Sequence, residues 1–320
     1  MFDHILVPLD GSSLAECVLP HVVAMAEAFG SRVTLLRVLE RNHGNRLTAF
    51  VDAWDWHARR AEAQAYLSGV SSRLLEAGLK VESVLLEGRA AEDIIRFAHE
   101  QQAKLIVLSS HGRGGLSEWN VSSIVQKIML RAYVPTVIVR AHQPVASDLT
   151  GLRYRRVMVP LDGSQRADWV LPVVDTLARV NGCKVLLAHV VHKPELLCIL
   201  PPSQEDLELV ERLTERNRQE AARYLELVRS RFSVEVEIEA RLIISDSIVA
   251  SLHELVDREE VGLVVLAAHG HSGGTKWPYG NVATSFISYG ITPLLIVLDV
   301  SPHEAQPALV EVVARERRGH

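Results

Sequence analysis

The sequence predicts an α/β protein made of two tandem, doubly wound (Rossmann-like) domains. Each domain is expected to hold a five-stranded parallel sheet with helices on both faces. Three observations predict this fold. An internal repeat divides the 320 residues into two similar halves. Within each half, short runs of Val, Ile and Leu alternate with helical stretches. These runs are almost entirely apolar, which is typical of parallel strands that are buried on both faces.

The repeat keeps the order of its landmarks at two spacings. The segment Val7–Ser12 returns as Val159–Ser164, 152 residues later. Further along, Trp119 and Trp277 are 158 residues apart, so six residues have been added in the second half. Two copies of one domain explain this regularity. We expect a first domain at 1–141, a linker at 142–153, a second domain at 154–299 and a C-terminal tail at 300–320.

The elements of the first copy follow in order along the chain. Its strands are predicted at five apolar runs: His4–Leu9, Arg32–Leu39, Val81–Glu87, Lys104–Ser109 and Thr136–Arg140. A helix over Leu14–Phe29 is predicted to begin with a capping box at Ser13 and to end at Gly30. A longer helix covers roughly Trp54–Ala77.

Two later segments complete the prediction of elements. In the second copy, the densely charged stretch Glu205–Arg229 is expected to be a helix with a solvated face. The tail has no counterpart in the repeat, and a short helix is predicted there at Ala308–Arg317.

Composition excludes several classes of function. The formal net charge of -5 gives no electrostatic case for binding nucleic acid. No apolar run approaches the roughly 20 residues that span a bilayer, and the N-terminus has no signal-peptide pattern. The 3 cysteines suggest neither a disulfide framework nor a metal site. We therefore expect a cytoplasmic protein with no nucleic-acid or membrane partner.

A glycine-rich loop follows the fourth strand of each copy. The first copy reads Leu105–Gly115 and the second reads Leu263–Gly270. A strand, such a loop and a helix start can together turn backbone N–H groups toward an anion. If the sheet winding reverses between the first and fourth strands, Asp10 and the loop face one crevice. The aspartate would then accept hydrogen bonds from a ribose or a base edge.

Each of these residues also has a plainer interpretation. Asp10 can be a turn residue that pairs with its own backbone, and the glycines can belong to a flexible surface loop. Ser123 begins a second capping-box pattern, so it can serve only to cap its helix. Asn281 can do the same in the second copy.

With these residues in view, the chain resembles tandem members of the universal stress protein family over almost all of both copies. The nucleotide-binding members carry an aspartate after the first strand, which Asp10 and Asp162 match. They also carry a loop of Gly, two residues, Gly, nine residues, Gly and then Ser or Thr. The spacing is intact in both copies, at Ser109, Gly112, Ser122 and Ser123, and at Ala267, Gly270, Gly280 and Asn281.

The resemblance implies ATP or another adenine nucleotide as ligand, with or without Mg²⁺, in one or both domains of a stress-response protein. It places Val38 and Val190 near the adenine. The candidate binding residues of the two copies are Pro8, Asp10, Val38, Ser109, Gly112, Arg113, Gly115, Ser122, Ser123, Pro160, Asp162, Val190, Ala267, Gly270, Gly273, Lys276, Gly280 and Asn281.

Departures from the family pattern have physical consequences. Ser109 and Ala267 stand where the pattern has its first glycine. If φ there were positive, a Cβ would cost roughly 1–2 kcal/mol of strain. Ser109 could compensate by donating its hydroxyl. Glu118 is unfavourable beside phosphates, whereas its counterpart Lys276 is favourable, and Arg113 could offset Glu118.

Two other functions remain open. The chain can be an interaction module without nucleotide. The resemblance implies that its last strands, Val134–Arg140 and Ile291–Leu298, pair to mimic a dimer within one chain or to form a homodimer. It can also be a slow ATPase, although the sequence offers no positioned general base beyond the aspartates. We predict no catalytic residues. The histidines near 189 and 269 lack further ligands at suitable spacing, so we predict no metal either.

Overall fold

The computed structural model describes residues 1–40, 49–111, 121–141, 148–194, 202–271 and 279–298, with 49–54 described by their backbone only. The strands are β1 His4–Pro8, β2 Arg32–Leu39, β3 Lys80–Glu87, β4 Leu105–Ser109, β5 Thr136–Val139, β6 Arg156–Pro160, β7 Lys184–His192, β8 Ile238–Ser245, β9 Leu263–Ala267 and β10 Leu294–Val297. The helices are α1 Leu19–Phe29, α2 Ala49–Glu76, α3 Ala90–Glu100, α4 Ser123–Ala132, α5 Leu171–Asn181, α6 Gln204–Arg229, α7 Ile248–Arg258 and α8 Asn281–Tyr289.

All ten strands belong to one sheet in the order β3-β2-β1-β4-β5-β10-β9-β6-β7-β8. Each half contributes five parallel strands, as predicted. The halves meet where β5 and β10 pair in the antiparallel direction, with Leu295 opposite Val137. The predicted pairing of the last strands within one chain is therefore correct. Because β5 and β10 pair with each other, neither has a free edge on that side. A homodimer through these strands would first have to break this pairing.

Helices cover both faces of the sheet because alternate strand residues point to opposite sides. In β1, Ile5 and Val7 join the core beneath α1, α2, α5 and α6. Leu6, between them, joins the core beneath α3, α4, α7 and α8. None of the three side chains is exposed to solvent. The fully apolar strand pattern that predicted a doubly covered sheet thus corresponds to two separate hydrophobic layers.

Three predicted capping positions are wrong by one residue, and α1 begins at Leu19, five residues after the predicted Leu14. A 3₁₀ turn at Ala15–Val18 precedes α1. The amide of Ala15, its first residue, donates a hydrogen bond of 3.2 Å to the hydroxyl of Ser12, not to that of Ser13. α4 is capped by Ser122, whose hydroxyl accepts from the Val125 amide, so Ser123 is the first helical residue. α8 is preceded by Gly280, so Asn281 is not a cap. Adjacent polar residues cannot be ranked by pattern alone.

Other expectations concern the connecting segments. α2 begins earlier than the predicted Trp54, and α6 begins with a capping box between Ser203 and Asp206. Residues 142–147, the first half of the predicted linker, and the helix expected at Ala308–Arg317 lie outside the described residues. The predicted domain boundaries stay predictions.

Candidate functional site

The winding of each half reverses beside its first strand. β1 has β2 on one side and β4 on the other, and β6 lies in the same way between β7 and β9. Loops that leave the carboxyl ends of β1 and β4 therefore diverge to opposite faces and leave a crevice between them. The sequence analysis expected Asp10 to face the glycine-rich loop if the winding reverses between the first and fourth strands. This reversal is present in both halves.

The crevice of the first half is a pocket of about 400 Å³. Every candidate residue of this half that the structure describes lines it: Pro8, Asp10, Val38, Ser109, Ser122 and Ser123. The apolar wall comes from the ends of β1 and β2, and the polar wall comes from the end of β4 and the start of α4. A volume of this size is typical of small-molecule sites.

The second half repeats the pocket at about 410 Å³. Its described candidate residues also line one cavity: Pro160, Asp162, Val190, Ala267, Gly270, Gly280 and Asn281. The structure thus brings together residues that are more than one hundred positions apart in sequence. The remaining candidates, Gly112, Arg113, Gly115, Gly273 and Lys276, lie outside the described residues.

The two aspartates share one local conformation. Oδ1 of Asp10 accepts from the Ser12 amide at 2.9 Å and from the Ser12 hydroxyl at 2.7 Å. Oδ1 of Asp162 accepts from Ser164 in the same way, at 3.0 and 2.6 Å. The plainer interpretation, a turn residue that pairs with its own backbone, is therefore realised. Since each carboxylate also lines its pocket, the turn fixes the carboxylate's position at the pocket wall.

In the second half the carboxylate also contacts the glycine loop. Oδ2 of Asp162 accepts a hydrogen bond of 2.5 Å from the His271 amide. Burial raises the pKa of Asp162, but the hydrogen bonds from Ser164 and His271 outweigh burial and leave this pKa below its usual value. Gly270 lies so close that a Cβ on it would be 2.0 Å from Oδ2. Glycine is required here for the loop to approach the carboxylate.

The strain expected at the first loop position does not arise. Positive φ angles among the described non-glycine residues occur only at Gln102, Tyr133 and Glu260, so neither Ser109 nor Ala267 is strained. The Ser109 hydroxyl lies 2.7 Å from the carbonyl oxygen of His111 and 3.1 Å from that of Leu14. Its single proton is therefore used within the protein, and the expected donation to a ligand is wrong for this conformation.

The helix that starts in each pocket differs between the halves. In the first half, the Ser122 hydroxyl accepts a hydrogen bond of 3.3 Å from the Val125 amide of α4. In the second half, Gly280 precedes α8 and provides no side-chain cap. The first-turn amides of α8 therefore face the second pocket without a capping side chain at that position. A helix N-terminus in this state favours an anion.

Sequence reasoning missed several residues that line the pockets. The first pocket includes Arg37, Glu40 and Arg59, and the second includes His192 and Asp246. Arg37 is only 4% exposed although it is charged. The signal that could have found it was available, because the offset of 152 aligns Arg37 with His189 and so marks a change of charge between the copies.

Two other properties bear on function. Within the described ranges, no three His, Cys, Asp or Glu side chains are grouped so that they could hold a metal ion. Over the same ranges, no helix has both the length and the apolarity needed to cross a membrane.

The model of the universal stress protein family matches residues 1–140 and 153–297. The chain belongs to the universal stress protein family. It contains two domains of this family in tandem, and each family match includes one pocket.

Individual relatives agree with this family. A universal stress protein of Methanocaldococcus jannaschii is 27% identical over 142 residues, which cover 44% of this chain and 83% of the relative. One from Mycobacterium tuberculosis is 26% identical over 224 residues, 68% of this chain and 69% of the relative. The crystal structure of a universal stress protein from Archaeoglobus fulgidus is similar in fold, with a TM-score of 0.64 and 16% identity, over 94% of this chain and all of that chain.

Proposed function

We propose that this universal stress protein binds ATP or a related adenine nucleotide in at least one of its two pockets. One observation carries the proposal. In each half, a carboxylate, a valine and a helix N-terminus from separate elements surround a cavity of about 400 Å³. These are the three kinds of group that a ribose, a base and a phosphate need.

Each group has a separate role in this proposal. Val38 or Val190 packs against the base at the end of the second strand of its half. Asp10 or Asp162 accepts hydrogen bonds from the ribose hydroxyls, and its ionised form suits an acceptor. The start of α4 or α8 holds the phosphates. In the second half the uncapped start of α8 supports this role directly.

We further propose that binding, not hydrolysis, is the activity. Both aspartates are held by the serine two residues later, so they are placed as hydrogen-bond acceptors in a fixed turn. Hydrolysis of the nucleotide would require a general base within hydrogen-bond reach of an attacking water in the same pocket. A cytoplasmic role in a stress response, in which the bound nucleotide sets the signalling state, is consistent with this proposal.

The proposal is tested first on the purified protein. Heat denaturation should release an adenine nucleotide that chromatography of the supernatant detects, and ATP at millimolar concentration should raise the melting temperature. If heating releases no nucleotide and ATP does not raise the melting temperature, nucleotide binding is contradicted.

Variants then assign the pockets. Asp10→Asn and Asp162→Asn keep an oxygen for the turn but remove the charge, and we expect each to weaken ATP binding in its own pocket roughly tenfold by calorimetry. Asp3→Asn, an exposed change outside both pockets, is the matched control. Equal affinity in all three variants would show that neither aspartate contacts the nucleotide.

A further inference from the structure

The two halves differ beside the aspartate, on the side that faces the long helix. The repeat aligns Arg37 with His189 at an offset of 152, and Arg59 with Asn217 at an offset of 158. Two guanidinium groups in the first half are therefore replaced by shorter side chains in the second. The neighbouring tyrosines, Tyr66 and Tyr224, are retained at the offset of 158.

In the first half the Arg37 guanidinium fills the space under the aspartate turn. It lies over the Tyr66 ring at 5.3 Å from the ring centre, a cation–π contact. A Cβ built on Gly11 would be 2.7 to 2.8 Å from three atoms of this guanidinium. The side chain is thus enclosed between the glycine of the turn and the tyrosine ring.

In the second half this space is open. Among the described residues, and apart from the two chain neighbours, no atom lies within 4 Å of a Cβ built on Gly163, the counterpart of Gly11. The His189 ring meets the Tyr224 ring edge to face at 6.2 Å. What remains is a cleft of about 660 Å³, which we call the lateral cleft. Its lining includes Asp162, Gly163, His189, Asn217, Glu220 and Tyr224.

The lateral cleft keeps the acidic groups found at the equivalent positions of the first half, but it lacks the counterparts of Arg37 and Arg59. Asp162 and Glu220 correspond to Asp10 and Glu62. Burial lowers the pKa of His189, so this ring is neutral at neutral pH. Glu220 pairs with Arg216 at 3.2 Å, but that arginine is largely solvent-exposed, so the pair is weak. The described lining contains no lysine or arginine, and its carboxylates are those of Asp162 and Glu220.

One further polar group remains to be satisfied. Nδ1 of His189 is buried and has no hydrogen-bond partner within the described ranges. A neutral imidazole nitrogen can accept a hydrogen bond from a donor that enters the cleft. A guanidinium offers several N–H donors in a plane that can also stack on a tyrosine.

We propose that the lateral cleft of the second domain binds a small organic cation of the guanidinium class. The ligand takes the place that the Arg37 side chain fills in the first domain, against the Tyr224 ring and between the carboxylates of Asp162 and Glu220. The lateral cleft shares Asp162, Val190 and His192 with the second nucleotide pocket, but it opens toward α6, whereas the nucleotide pocket opens toward the start of α8.

The test is a ligand-observed NMR titration of the nucleotide-free protein with methylguanidinium chloride at constant ionic strength. We expect saturable binding of one cation per chain. N-methylurea, a neutral probe of similar shape, should bind at least tenfold more weakly. Equal binding of the two probes would overturn the proposal, because the site would then not select for charge.

Two variants locate the binding. His189→Arg places a guanidinium in the cleft from within and should weaken methylguanidinium binding at least tenfold, and Glu220→Gln should weaken it several-fold. Val180→Arg adds the same charge at an exposed position of α5 and should leave binding unchanged. Wild-type affinity in both cleft variants would overturn the proposal. ATP binding, measured separately on the same samples, reports on the nucleotide pockets alone, so failure of either proposal is distinguishable from failure of the other.

Discussion

The Tyr279 hydroxyl donates a hydrogen bond of 2.9 Å to the carbonyl oxygen of Met129, which joins the two domains. Met129 lies in the last turn of α4, where carbonyl groups have no partner within the helix. Tyr279 immediately precedes Gly280 of the second pocket, while α4 begins in the first pocket. A single contact therefore links the helix of one pocket to the loop of the other.

We predict that Tyr279→Phe destabilises the protein by about 1 kcal/mol, because it leaves the Met129 carbonyl without this partner. Urea unfolding followed by circular dichroism measures the change. Tyr289→Phe is the matched control, since Tyr289 is 70% exposed and its hydroxyl is free to bind water. Equal loss in both variants would show that the contact adds nothing to the stability of the domain pair.

Arg140 makes the opposite link from the first domain to the second. It is 2% exposed, and its guanidinium donates to the carbonyl oxygen of Phe286 at 2.7 Å and of Ile287 at 3.3 Å, near the end of α8. Burial lowers the pKa of Arg140 to about 10, so it stays charged at neutral pH. Its positive charge also suits a helix C-terminus.

We predict that Arg140→Gln lowers the free energy of unfolding by about 2 kcal/mol, because charged hydrogen bonds to buried carbonyls are lost. Arg223→Gln, an exposed change on α6, should alter it by less than about 0.5 kcal/mol. The measurement is again urea unfolding at pH 7. A loss no larger than that of the control would contradict the capping role.

Neither cross-domain contact was predicted from the sequence, although the family resemblance implied the pairing of the last strands. The last strands were expected to pair because the resemblance to the universal stress protein family implies it, and β5 and β10 do pair. Tyr279 and Arg140, however, align with Val121 and Leu298, which cannot form such bonds. A repeat reveals what the two halves share, so contacts made by one half alone are hidden from it.

The pockets were predictable to a similar extent. Asp10 and Asp162 could be placed because turn chemistry and strand ends are local properties, and all described candidates line the two cavities. The internal use of the Ser109 hydroxyl could not be predicted, because it depends on the carbonyl of Leu14, which tertiary packing brings near. Arg37 was overlooked because a charged residue within a strand was not considered as part of the pocket.

A buried histidine between the domains predicts the pH dependence of stability. Nδ1 of His21 lies 2.8 Å from the Tyr154 hydroxyl, and burial lowers the pKa of His21 to about 4. In the unfolded chain the same group has a pKa near 6.5. Between these values the unfolded state binds more protons. The contribution of His21 is therefore fully present above about pH 6.5 and is lost as the pH falls toward 4.

We predict that His21→Gln, which keeps a polar partner for Tyr154, removes this part of the pH dependence. The decrease in free energy of unfolding between pH 7.5 and pH 4.5 should be smaller than in the wild type by up to about 3 kcal/mol. His57→Gln, at an exposed position, should follow the wild-type curve. Parallel curves for all three proteins would show that His21 titrates normally in the folded state.

The close approach of Gly270 to Asp162 provides the sharpest test of how the second pocket is built. In Gly270→Ala, the new Cβ would lie 2.0 Å from Oδ2 of Asp162, so either the loop or the carboxylate must move. Movement would break the hydrogen bond from the His271 amide. We predict a destabilisation of about 1–3 kcal/mol, typical of overpacking, and roughly tenfold weaker ATP binding in the second pocket.

Gly262→Ala is the matched control for this prediction, because the nearest atoms to its Cβ are at 3.6 Å, an ordinary contact distance. Calorimetry on both variants, with the first pocket weakened by Asp10→Asn, separates the affinity of the second pocket from that of the first. If Gly270→Ala binds ATP as tightly as Gly262→Ala does, the contact between Asp162 and the loop is not needed for the nucleotide. The aspartate would then serve the turn alone, through its bonds to Ser164.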